Sequence, residues 1–167
     1  MTYEEARAFI DDTARYGAVL GLDSVTELMR RLGNPQDELE FVHIAGTNGK
    51  GSTLAYISTI LKEAGYRVGR YISPTIFDYR ERIQVNEEYI TREGVARLAG
   101  QVREACEQMV QDGFSHPTTF EVETAMAFLW FREMNCDIVV LECGMGGLTD
   151  ATNVVRTTLV SVFAEIG

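Results

Sequence analysis

Residues 41–52 read FVHIAGTNGKGS, and how this stretch is read decides the fold. Phe41 to Ala45 is a short apolar run of strand length. Gly46, Gly49 and Gly51 follow, and then Leu54, Ile57, Ile60 and Leu61 recur at helical spacing. A strand, a glycine-rich turn and a helix in that order present backbone N–H groups at a helix N-terminus, where they and the helix dipole favour an anion. In such a turn Gly46, Thr47, Asn48, Gly49, Lys50, Gly51 and Ser52 are the candidates to cradle nucleotide phosphates. Lys50 is placed to neutralise the β and γ phosphates, and Ser52 to offer its hydroxyl to Mg²⁺. The common GxxxxGK[ST] pattern is not met, because Ile44 stands where its first glycine belongs and Gly51 follows Lys50.

Working outward, Gly65 ends this helix and Arg67 to Ile72 reads as a second strand, completing a βαβ unit with a right-handed crossover. Residues 73–89 contain a proline, several charges and an alternating Ile83, Val85 pattern, expected to form a mobile loop with a hairpin near Tyr89. Helices are expected over Thr91 to Asp112 and over Thr118 to Met134, the second apolar all round and therefore buried. Ile138 to Leu141 reads as a strand covered on both faces, and Leu159 to Phe163 as another. At the start of the chain, Thr2 with Glu5 and Ser24 with Glu27 have capping-box spacing and predict two short helices. The predicted class is α/β, a P-loop-type, mostly parallel sheet flanked by helices.

The 167 residues are 46% hydrophobic, enough for one sizeable core, and a single domain over 1–167 is expected. A net charge of -10 speaks against broad nucleic-acid or anionic-membrane binding, so any phosphate site must be local. The three cysteines form no CxxC pair, and no segment has targeting or membrane-spanning character. A cytoplasmic location is expected.

The stretch from Ala45 to Ser52 resembles the nucleotide loop of the Mur ligase superfamily, and its Lys-Gly-Ser ending resembles the folylpolyglutamate and dihydrofolate synthase branch. A second block, LECGMGGLTDATN at 141–153, is similar to that branch's other signature. Tyr71 to Pro74, Glu81 to Ile83 and Thr119 to Glu121 extend the likeness. The resemblance implies a ligase that uses ATP and Mg²⁺ to join L-glutamate to a folate or dihydropteroate, a monomer at full length, with Lys50 and Glu142 at its catalytic centre. It also implies metal contacts from Ser73 and Glu142 beside Ser52, and substrate contacts from Ser73, Pro74, Arg82 and Glu121. Members of that family are longer, so this chain is expected to be the N-terminal part of the ATP-binding domain and incomplete as a catalyst. The rival readings are a P-loop NTPase or regulatory nucleotide-binding module, and a kinase-like phosphoryl transferase.

Each assignment has a plainer alternative. Glu142 ends a strand beside the phosphate loop, where such folds hold a metal, or is a solvated strand-end carboxylate. Ser73 before Pro74 also reads as a simple turn. Glu121 lies three residues after Thr118, which a capping box explains fully. Arg82 meets a substrate anion or is solvated. Gly144, Gly146 and Gly147 let the backbone approach a ligand, while Asp150 and Asn153 fix that loop locally. His43, His116 and Cys143 are read as having no metal or nucleophilic role.

Overall fold

The computed structural model describes residues 1–19, 21–144 and 150–165. Two helices, α1 (Tyr3–Asp12) and α2 (Asp23–Arg31), precede β1 (Phe41–Ala45), α3 (Lys50–Glu63) and β2 (Val68–Tyr71). A hairpin of β3 (Ile83–Val85) and β4 (Glu88–Tyr89) leads to α4 (Arg92–Gln111), α5 (Thr119–Glu133), β5 (Ile138–Glu142) and β6 (Thr158–Phe163). The sheet order is β4-β3-β2-β5-β1-β6. β2, β5, β1 and β6 run parallel, while β3 and β4 add an antiparallel edge. The chain passes from β1 through α3 to β2, the crossover that parallel strands require, and β5 lies between them.

Alternation along the strands sorts the core onto the two faces. Phe41, Val139, Leu141 and Tyr71 join the larger cluster with α1, α2, α4 and α5. Val42, Ile44, Val68, Ile138 and Val140 face Leu54 of α3. The expectation for α5 holds, since every residue from Glu121 to Phe131 is buried. Burying charged Glu123 there requires a partner, and Arg82 supplies one at 2.9 Å.

Three expectations are corrected. The box expected at Ser24 and Glu27 does not form, because α2 begins at Asp23 without a side-chain cap. Ser24 instead donates to Glu121 at 3.3 Å, and Glu27 binds Arg30 and Arg31, which hold its carboxyl down at about 2. Ile60 is 67% exposed, since α3 is the one helix on its side of the sheet among the described residues. Within residues 73–89, expected as a mobile loop, the part before β3 is tied by the buried Glu81 carboxylate, which accepts from the N–H groups of Ile76, Phe77 and Asp78 at 3.0, 2.6 and 2.6 Å. The expected hairpin does form, turning at Asn86 and Glu87 with φ of 49° and 70°.

Candidate functional site

The parallel strands β1, β5 and β2 end at the same edge of the sheet, so the segments that follow them converge. After β1 the chain turns at Gly46, with φ 130°, where an added Cβ would lie 2.8 Å from the Ala164 carbonyl oxygen. Only glycine fits both the dihedral and that approach. Gly49, with φ 77°, then begins α3 without a side-chain cap. The first four N–H groups of an α-helix lack intrahelical partners, and here they belong to the loop-to-helix junction at residues 49–52. The N–H groups of Thr47 and Asn48 instead donate to the Glu165 carbonyl at 2.8 and 3.0 Å. Of the amides expected over residues 46–52 to form a cradle, those of Thr47 and Asn48 are thus taken within the chain, while those at 49–52 have no intrahelical acceptor.

Glu142 pairs in register with Ile44 and shares the α3 face with Val140 by strand alternation. That brings its carboxylate to Lys50 at the head of α3, 3.9 Å away. Lys50 also donates to the Cys143 carbonyl at 3.0 Å. The Glu142 side chain is 7% exposed. Burial pushes its pKa up, while Lys50 and the Ser73 backbone N–H, which it accepts, oppose the rise. A buried carboxylate so incompletely compensated suits a cation. An open groove of about 530 Å³ is lined by Thr47, Asn48, Gly49, Lys50, Gly51, Ser73, Pro74, Glu142 and Gly144. Ser52, in the first turn of α3, is exposed. Among the described residues no cluster of three or more His, Cys, Asp and Glu side chains forms a metal site. An ion held by Glu142 would therefore complete its shell from hydroxyls, phosphates and water, as Mg²⁺ does.

A second cavity of about 230 Å³ shares Ser73 and Gly144 with the groove. Its other walls come from Gly17, Ala18, Val19 and Gly21, from Thr118, Phe120 and Glu121 at the head of α5, and from Asp150 and Ala151. Glu121 closes the capping box with Thr118 and also lines this cavity. Arg82 lines neither space, and its guanidinium is held by Glu123, by the Tyr79 carbonyl at 3.1 Å and over the Tyr79 ring. Gly146 and Gly147 lie outside the described residues. Asp150 caps the short 3-10 turn over Ala151–Val154, as expected of a locally fixing residue.

His43 and Cys143, for which no metal or nucleophilic role is expected, meet through their Nε2 and Sγ atoms, 2.9 Å apart. Burial raises the thiol pKa and lowers that of the imidazole, so this contact does not form a thiolate pair.

No protein-family model matches the chain. The dihydrofolate synthase/folylpolyglutamate synthase of Bacillus subtilis is 43% identical over 166 residues, covering 99% of this chain and 38% of that protein. The crystal structure of folylpolyglutamate synthase from Thermotoga maritima matches with a TM-score of 0.90 at 43% identity, over 99% of this chain and 38% of that one. The chain belongs to the folylpolyglutamate/dihydrofolate synthase family. It spans 38% of the length of the Bacillus relative. An FPGS–AMPPCP–folate complex, 38% identical, also matches, with a TM-score of 0.87 over 98% of this chain and 40% of that one. What the sequence reading of this synthase-family chain missed was the wall made by Gly17, Ala18, Val19, Gly21 and Phe120. A glycine at 17 and another at 21 in a stretch without periodicity were the available signal.

Proposed function

We propose that this chain carries the nucleotide and acceptor sites of an ATP-dependent ligase that joins L-glutamate to a folate or dihydropteroate carboxyl group. The observation that carries this reading is the pairing of two adjoining spaces. One is a groove with Lys50, the α3 N-terminus and Glu142, and the other is a half-enclosed cavity with an aromatic wall at Phe120. Ser73 and Gly144 form their common border, where a carboxyl group held in the cavity meets a γ-phosphoryl group held in the groove.

The chemistry follows from that border. The acceptor carboxylate attacks the γ phosphorus, the bond to the β-γ bridging oxygen breaks, and ADP leaves with an acyl phosphate formed. The amino group of glutamate then attacks the acyl carbon, loses a proton and expels inorganic phosphate, leaving an amide. Negative charge grows on the transferring oxygens, and the Lys50 ammonium and the amides at 49–52 are aimed to offset it. Glu142 and Ser73, which share the groove, together with Ser52 in the first turn of α3, would hold Mg²⁺, which when bound supplies further charge neutralisation to the phosphates. Phe120 offers a face for a planar heteroaromatic ring, and Glu121 and Asp150 offer acceptors to its N–H groups. The cysteines are free, and among the described residues no helix is long and apolar enough to cross a membrane. A reducing cytoplasm is the setting we assign to this ligase.

Phosphate release from Mg-ATP by the protein at its natural length tests the reading. Release is expected to require both the acceptor, dihydropteroate or a reduced folate, and L-glutamate. Equal release without either would instead make this chain an NTPase.

A further inference from the structure

The geometry points to His43 and Thr152 as positioning residues that hold the Asp150 carboxylate at the wall of the acceptor cavity. This rests on the cavity being the acceptor site. Asp150 is 5% exposed and lines that cavity, and its Oδ1 lies 3.1 Å from where a Cβ on Gly144 would stand. Its Oδ2 accepts from the Thr152 backbone N–H at 3.0 Å and, in a short bond, from the Thr152 hydroxyl. A hydroxyl carries one proton, and this one is given to Asp150. With that proton on the Asp150 bond, the 2.9 Å contact between Thr152 Oγ1 and His43 Nε2 makes the ring the donor in the relay we infer, the Nε2–H tautomer.

The relay therefore runs from His43 to Thr152 to Asp150, each group donating to the next, with every member buried. It begins on β1, the strand that enters the phosphate loop, and its Nε2 also touches Sγ of Cys143, whose carbonyl receives Lys50. Asp150 lies outside any strand or α-helix, on the short turn after β5. A purely structural threonine would need neither the hydroxyl's direction nor a defined imidazole tautomer.

The test combines NMR of the His43 ring nitrogens with calorimetric titration of folate and of Mg-AMPPCP into the wild-type chain, T152V and T152S. His43 is expected to be neutral with its proton on Nε2. T152V is expected to bind folate about tenfold more weakly, the loss of one hydrogen bond to a charged group. Its affinity for Mg-AMPPCP is expected to stay within about twofold of wild type, and T152S to recover folate binding, because the serine hydroxyl makes the same bond. The relay is overturned if the ring proton sits on Nδ1, if T152V binds folate as well as wild type, or if T152S binds as poorly as T152V. A wild-type chain that takes up no folate contradicts the acceptor reading instead, and the tautomer, which needs neither ligand nor variant, still decides the relay.

Discussion

Lys50→Ala is expected to weaken binding of Mg-AMPPCP by about a hundredfold, measured by calorimetric titration, because a charged contact of roughly 3 kcal/mol is lost at the phosphates. The geometry explains why so much rests on one side chain. Lys50 is the first residue of α3, directly after the αL glycine at 49, so its ammonium and the helix N-terminus address the same anion. It is already held over the groove by the Cys143 carbonyl at 3.0 Å, which lessens the ordering a ligand must impose. Lys50→Arg restores the charge but replaces a compact ammonium with a planar fork, and is expected to recover only part of the affinity. If Lys50 served merely as counter-ion to Glu142, the alanine variant would lose thermal stability and keep its nucleotide affinity.

Glu142→Gln is expected to separate binding from stability. Losing the carboxylate removes the Mg²⁺ enhancement of AMPPCP binding and weakens binding in Mg²⁺ by roughly tenfold or more, the loss of one charged contact. The melting temperature at neutral pH is expected to stay equal to wild type or rise, since a neutral amide of the same shape no longer needs a buried charge. The pH dependence follows from the direction of the shift. Burial raises the folded-state pKa of Glu142 above its ordinary value. The ionised form therefore costs stability above the folded pKa, and that cost disappears as pH falls through it. Wild type is thus expected to gain on Glu142→Gln as the solution is acidified. Comparing the two proteins cancels the opposite trend from Glu27, Asp78 and Glu81, whose lowered pKa values make their stabilisation vanish toward acid pH.

Much of the fold is legible because its signals are local. The apolar run at 41–45, the glycines behind it and the helical spacing after them are each set by bonds within a few residues, and the structure keeps all of them. So are the capping boxes of Thr2 with Glu5 and Thr118 with Glu121, where side chain and backbone three residues apart satisfy each other. The Ser24 box failed because its hydroxyl found Glu121, 97 residues away. The pairing of Arg82, for which a substrate contact or a solvated side chain is expected, is hidden because nothing near it in sequence marks Glu123, its partner on α5. The contact of His43 with Cys143 spans 100 residues, and the carbonyl that occupies the Thr47 and Asn48 amides belongs to Glu165. Periodicity reads faces and caps. It does not read which face meets which, and the cavity beside Phe120 is made of such meetings.

The most direct test of the central claim is the amide NMR spectrum of this chain as Mg-ATP is added. The account predicts that the largest shifts fall on Gly49, Lys50, Gly51 and Ser52, with Ser73 and Glu142 following only when Mg²⁺ is present. Shifts confined to residues away from this groove, or a spectrum unchanged at millimolar Mg-ATP, would contradict it.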